Sequence, residues 1–197
     1  MPKQLLAATS NRHKLVELRA ILKPCSIECL GPDDVGGIPD VEETGTTFEA
    51  NAIRKATAVA TATGYTVFAD DSGLEVFALG GEPGVYSARY AGADASDADR
   101  CQLLLERLAI HSDRSARFVC VVAVASPDGL IGTADGEVRG TIADAPRGTS
   151  GFGYDPVFVP DGFDGTFAEL SASEKDRISH RGNALKIAVA AGLFDIQ

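Results

Sequence analysis

A short apolar run, a cluster of small polar residues and an amphipathic stripe follow one another at the start of this chain, and that order constrains the fold most. Lys3 to Ala8 reads as a strand, and Thr9-Ser10-Asn11 supplies N-cap residues. A helix then runs through about Lys23, with Leu15, Leu18 and Leu22 three and four residues apart on one face. A strand feeding directly into a one-sided helix has to be covered by that helix, so the pattern predicts an α/β arrangement.

The remainder of the chain extends the alternation. Ser26 to Leu30 is a second strand candidate, and Gly31 to Gly45 is an acidic, proline-containing loop. Thr46-Thr47-Phe48-Glu49 fits a capping box in which Thr46 and Glu49 satisfy each other's backbone N–H groups, opening a helix that stops at Gly64. Strand Thr66 to Asp70 follows, then Leu74 to Leu79 as its hairpin partner or continuation. A glycine-rich loop, Gly80 to Gly92, precedes a helix capped at Ser96 that carries Leu103, Leu104, Leu105 and Leu108. Arg117 to Ala125 is a long apolar strand, which Pro127-Asp128-Gly129 turns into Leu130 to Thr133 as a hairpin, with more strand to about Ile142. The last helix is expected from Ser179 to Ala191. Helices alternating with strands, plus a hairpin, indicate a mixed sheet with flanking helices. No repeat or linker interrupts residues 1–197, which read as a single domain.

The net charge of −10 argues against nucleic acid or an anionic membrane as the partner, but not against a small polyphosphate met by a few placed cations. No apolar run approaches the roughly 20 residues of a membrane span. The apolar stretch at the N-terminus is too short for a signal peptide, so a cytoplasmic protein is expected. Cys25, Cys29, Cys101 and Cys120 lack zinc or thioredoxin spacing and read as free thiols. Neither a Walker-type loop nor a Rossmann glycine fingerprint is present, so any phosphate site is built differently.

Five constellations carry possible chemistry. Ala69-Asp70-Asp71-Ser72-Gly73 closes the run Tyr65-Thr66-Val67-Phe68, and it suits either a turn or a Mg²⁺ site. Successive strand side chains face opposite ways, so one of Asp70 and Asp71 reaches a metal and the other supports it. Thr9-Ser10-Asn11-Arg12-His13-Lys14 opens the first helix, where free N–H groups attract anions and where Lys14 lies at the electrostatically contrary end. Glu42 and Glu43 could complete a metal site with Asp71, and Asn51 and Lys55 share a helix face that could meet phosphate. Gly148 to Pro156 places Phe152 and Tyr154 among glycines, as a loop that admits a flat ligand would. Lys175 and Ser179-His180-Arg181-Gly182-Asn183 set cations at the start of the last helix.

In this order these blocks resemble the inosine triphosphate pyrophosphatase family, the dITP/XTP pyrophosphatases. The likeness covers Thr9-Ser10-Asn11-x-x-Lys14, Glu43-Thr44-Gly45-x-Thr47-Phe48, the Ala69–Gly73 block and Gly80-Gly81-x-Pro83-Gly84-x-Tyr86-Ser87-Ala88-Arg89-Tyr90. It continues through Gly151-Phe152-Gly153-Tyr154-Asp155-Pro156 and Ser179-His180-Arg181-Gly182. The resemblance implies an elongated, two-lobed α/β homodimer with the active site in the cleft between lobes. It implies Mg²⁺-dependent hydrolysis of dITP, ITP and XTP to monophosphate and pyrophosphate. By the same resemblance Asp71 is the proton acceptor and, with Glu42, a metal ligand. Ser72 contacts substrate, and Thr9, Ser10, Asn11, Arg12, His13 and Lys14 hold the phosphates. Phe152, Gly153, Tyr154, Asp155, Lys175, His180 and Arg181 hold the nucleotide. Two positions depart from many relatives: Ser10 replaces a glycine, and Ala50 replaces a glutamate.

Base choice has a chemical logic. Hypoxanthine and xanthine present O6 as acceptor and N1–H as donor, which adenine reverses, so donors aimed at O6 reject adenine by being left unpaired. A donor such as Arg181 near the purine 2-position would disfavour the amino group of guanine. A broad-specificity pyrophosphatase and a non-catalytic nucleotide-binding module are the competing readings.

Overall fold

A computed structural model describes residues 3–195. In chain order the elements are β1 (Lys3–Ala7), α1 (Arg12–Leu22), β2 (Ile27–Leu30), α2 (Phe48–Thr63), β3 (Val67–Val76) and α3 (Asp97–Leu108). They continue with β4 (Ser115–Ser126), β5 (Gly129–Ile142), β6 (Phe158–Pro160), α4 (Ala172–Ile178) and α5 (His180–Ala190). The strands form one sheet in the order β2-β1-β3-β4-β5-β6. β1 is parallel to both β2 and β3, whereas β6 is antiparallel to β5. The sheet is therefore mixed, as the alternation of elements and the hairpin signal implied.

Two expectations are corrected, and one open alternative is resolved. Of the hairpin partner and the continuation left open after Asp70, the structure has the continuation, and the Ala69–Gly73 block is strand. β3 runs through it without a break, and Leu74 continues the strand rather than starting a hairpin partner. β3 lies between β1, which is in register with it at Val67 and Phe68, and β4, so pairing in the sheet outweighs the turn preference of Asp, Ser and Gly. The second helix is capped one residue later than expected, by Thr47, whose Oγ1 accepts the Ala50 N–H at 3.1 Å. Glu49 does not close a box with Thr46; it accepts a hydrogen bond from Thr133 Oγ1 on β5 at 3.1 Å. The last helix begins at His180, and before it lies the unforeseen α4, closed by a Ser171/Glu174 capping box and ended by extended backbone at Ser179. The predicted stop at Gly64 holds, with φ at 73° and its N–H bonded to Ala60.

The chain packs as two compact units: Met1–Asp71, Cys120–Gly136 and Arg181–Gln197 in the first, Ser72–Val119 and Glu137–His180 in the second. In the first, the core joins Leu18 and Leu22 of α1 and Ala184, Leu185 and Ala188 of α5 to Leu5, Phe68, Val122 and Val124 of the sheet. In the second, Leu104 and Leu108 of α3 pack with Leu74, Val76, Phe118, Phe158 and Phe167. Phe118 lies 4.8 Å from the Phe158 ring and 6.0 Å from the Phe167 ring, which gives this core an aromatic centre.

The β5–β6 pairing sets Gly140 opposite Pro160. A Cβ at 140 would fall 2.1 Å from the Val159 carbonyl oxygen and 2.9 Å from the Phe158 ring. Gly140→Ala is expected to lower unfolding stability by about 1–3 kcal/mol through overpacking. A urea midpoint equal to that of the unsubstituted protein would show that this register is wrong.

Candidate active site

β3 distributes its two aspartates to opposite faces. Phe68 and Asp70 point toward α1 and α5, and Asp71 points toward α2. On the first face Asp70 Oδ2 meets Lys14 Nζ at 3.0 Å and Arg181 Nε and Nη2 at 3.2 and 3.1 Å. Arg181 is 1% exposed, and its Nη1 donates to Glu17. Burial opposes a charge on Asp70, but Lys14 and Arg181 outweigh it and hold the carboxyl well below the ordinary range. Lys14, electrostatically misplaced in the first turn of α1, is thus answered by an anion from within the protein.

On the second face Asp71 Oδ2 accepts from Asn51 Nδ2 at 2.9 Å. Asn51 Oδ1 accepts the Gly45 N–H at 2.7 Å. Lys55, one turn further along α2, pairs with Glu43. Burial, followed by the charge of Glu43, pushes Asp71 up to about 6. A carboxylate with its pKa near neutrality is suited to accepting a proton from water. Glu42 is exposed, so the acidic loop acts on Asp71 chiefly through its neighbour Glu43.

The turn into α1 is ordered by its own side chains. Asn11 Oδ1 accepts from the N–H groups of His13 and Lys14 at 3.0 and 3.2 Å, and Thr9 Oγ1 accepts from Asn11 N at 3.2 Å. Ser10, Asn11, Arg12 and His13 are exposed, and Thr9 and Lys14 are partly buried.

The second unit holds the remaining candidates. Asp155 Oδ2 accepts from Phe152 N at 2.8 Å and from Lys175 Nζ at 2.6 Å. Lys175 is 5% exposed, and its Nζ lies 4.8 Å from the Phe152 ring centre. Gly151 has φ at +77°, and a Cβ there would fall 2.0 Å from Asp155 Oδ2, so glycine is required on both counts. Gly153 N donates to Asp97 Oδ2 at 2.6 Å, and the Tyr154 hydroxyl donates to the Ser87 carbonyl at 2.9 Å. Tyr154 and Asp155 are therefore buried and turned inward, while Phe152 and Gly153 remain partly exposed. His180 is buried and stacks on Phe118 at 4.7 Å. Ser72 is partly exposed at the start of this unit's share of β3.

Sequence reasoning brought Asn51 and Lys55 to one helix face but aimed them at phosphate; here they hold Asp71 and Glu43. It missed Glu17, whose spacing of three from Lys14 was the available signal, and Asp97, which anchors the glycine loop. It also expected Arg181 at the base, whereas its guanidinium donates to Asp70 and Glu17.

A family profile described as the Ham1 family matches residues 5–191. This chain belongs to the Ham1 family. A dITP/XTP pyrophosphatase of Deinococcus radiodurans is 49% identical over 189 residues, covering 96% of this chain and 92% of that protein. One from Bacillus licheniformis is 49% identical over 186 residues, covering 93% and 95%. The Staphylococcus aureus Ham1 protein superposes with a TM-score of 0.84 at 46% identity over 96% of this chain and 97% of that one. A HAM1 protein from Coxiella burnetii gives 0.86 at 44% identity over 95% and 97%.

The two aspartates of this Ham1-family chain should respond oppositely to neutralisation in metal-free protein. Asp70→Asn leaves Arg181 and Lys14 without their shared anion and should destabilise by about 3–5 kcal/mol at pH 7. Because the folded-state pKa of Asp70 is depressed, its contribution is present above about pH 4 and is lost as the solution is acidified further. Asp71 has a raised folded-state pKa, so its ionised form opposes folding above about pH 6. Asp71→Asn should therefore stabilise by on the order of 1–3 kcal/mol at pH 7–8, with the gain shrinking between about pH 6 and pH 4. Urea unfolding of both variants across pH 4–8 checks this, and a destabilised Asp71→Asn at pH 8 would contradict it.

Proposed function

We propose that this chain hydrolyses non-standard purine nucleoside triphosphates, dITP, ITP and XTP, to the monophosphate and pyrophosphate. The observation that carries the reading is Asp71: a buried carboxylate, raised to about 6 by burial and Glu43, oriented by Asn51 in a chain about half identical to dITP/XTP pyrophosphatases.

Asp71 takes the proton of the attacking water, for which a pKa near the working pH is favourable. The capped start of α1, with Thr9, Ser10, Asn11, Arg12 and His13, offers backbone N–H groups and side-chain donors to the phosphates. Lys14 adds a charge to that end and is held beside it by Asp70. The base falls to the ring of Phe152, on the loop that Asp155 and Lys175 keep in shape, with Ser72 and His180 as further substrate contacts.

The donor set suits Mg²⁺, because Asp71, Glu42 and Glu43 supply hard oxygen ligands and the repulsion between Asp71 and Glu43 is what a cation relieves. No group of three or more metal-ligating side chains converges among the described residues. When bound, such an ion offsets charge on the phosphates and on the departing pyrophosphate. The same reading extends to a cytoplasmic homodimer whose partners are small triphosphates rather than nucleic acid or membrane. No helix among the described residues is long and apolar enough to cross a membrane.

Pyrophosphate release from dITP, XTP, dGTP and ATP, with Mg²⁺ and with chelator, tests this. We expect dITP and XTP to exceed ATP by at least about 100-fold in kcat/KM, and chelator to abolish turnover. Asp71→Asn should reduce kcat by about 100-fold or more. Equal rates on all four nucleotides would favour the broad-specificity alternative, and no turnover on any would favour a binding module.

A further inference from the structure

The side chain of Asn51 bonds to two parts of the candidate active site at once. Its Nδ2 donates to Asp71 Oδ2 at 2.9 Å, and its Oδ1 accepts the Gly45 N–H at 2.7 Å. Asn51 is 1% exposed and rises from the first turn and a half of α2. The chemistry fixes which way its amide faces. A backbone N–H only donates, so the carbonyl oxygen turns to Gly45 and the NH₂ is left to face Asp71, where it favours the ionised carboxylate.

Gly45 is adapted to this contact. A Cβ at 45 would lie 2.6 Å from Asn51 Oδ1 and 3.0 Å from Ala50 Cβ, so a side chain there displaces the amide. One turn along the same helix, Lys55 pairs with Glu43, whose charge acts on Asp71. Helix α2 thus holds both the carboxylate on β3 and the acidic segment before Gly45.

We infer that Asn51 is a positioning residue of the hydrolytic centre, a single amide that sets Asp71 and the Glu42–Gly45 segment in register with each other. This rests on the proposed pyrophosphatase reading. A rigid aim matters because misplacing a reacting group by about 1 Å costs on the order of 100-fold in rate. The effect belongs in kcat rather than KM, because the side-chain bonds of Asn51 go to Asp71 and Gly45, on the proposed proton acceptor's side, rather than to the turn from Thr9 to Lys14 proposed to meet the phosphates.

Kinetics on dITP and amide hydrogen exchange together test the inference. Asn51→Ala should lower kcat by about 10- to 100-fold, with KM within about three-fold of the unsubstituted enzyme. Gly45→Ala should do the same from the other end of the link. The double variant should be little worse than Asn51→Ala alone, because the closest clash goes with the amide and only the 3.0 Å approach to Ala50 Cβ is left. Asn51→Asp keeps the shape and the Gly45 acceptor but removes the donated bond, and it carries the kinetic test if the alanine variant does not fold. Exchange at the Gly45 amide should quicken in Asn51→Ala. Folded Asn51→Ala or Asn51→Asp with kcat within about two-fold of the parent would overturn the inference, as would additive losses in the double variant. If the parent enzyme releases no pyrophosphate from any nucleotide, the hydrolase reading fails by itself. Unchanged Gly45 exchange in Asn51→Ala would then overturn the link independently of turnover.

Discussion

The buried pairing of Asp70 with Arg181 is the constraint on which the first unit depends. Removing a carboxylate and a guanidinium from water is unfavourable by several kcal/mol each, so such a pair survives only with good geometry and further partners. Both conditions are met. Arg181 presents two nitrogens to one Asp70 oxygen and a third to Glu17, and Lys14 adds a second cation to Asp70. Two acids and two bases balance within the cluster. Apolar residues of similar volume would serve stability about as well. What the ions add is orientation: the group ties β3 to α1 and α5 and so fixes where the turn from Thr9 to Lys14 stands.

One residue further on, the same strand creates the opposite electrostatic condition. Asp70 and Asp71 are both buried, yet one is held strongly ionised and the other is pushed toward neutrality. The difference lies in what each face of β3 meets. Toward α1 and α5 the strand finds cations; toward α2 it finds a neutral amide and the negative charge of Glu43. Environments that drive neighbouring carboxyls apart in this way leave one a permanent anion and the other able to take up a proton near neutrality. A single strand can do this because its period of two sends adjacent residues to opposite faces. The backbone of a central strand also restrains both carboxyls more closely than a loop would.

The sequence made the alternation of elements, the mixed sheet, the Asn11, Ser96 and Gly64 helix boundaries and the opposite facing of Asp70 and Asp71 legible, since each follows from short-range spacing. It misplaced what depends on distant partners. Asp-Asp-Ser-Gly suits a turn locally and becomes strand as part of β3, a strand of the sheet between β1 and β4. Glu49 fits a capping box with Thr46 until Thr133, far along the chain, captures it. Arg181 at a helix start reads as an anion site, and the anions prove to be Asp70 and Glu17. Helix α4 is a different kind of miss, because its Ser171-x-x-Glu174 signature was present and local.

The glycine loop of the second unit follows a related logic. Free glycines suggest a mobile segment, yet here the backbone is fastened on both sides of Phe152. Asp155 takes its N–H, Asp97 takes that of Gly153, and Tyr154 is buried with its hydroxyl on Ser87. The positive φ at Gly151 and Gly153 serves this tight path rather than mobility. Lys175 reinforces it by meeting Asp155 and the Phe152 ring together. A ring carried on so constrained a loop has little conformational freedom left to lose, the condition under which a stacking contact would keep most of its energy as affinity. Tyr154 and Asp155 hold Phe152 in that place through buried, inward-facing polar atoms.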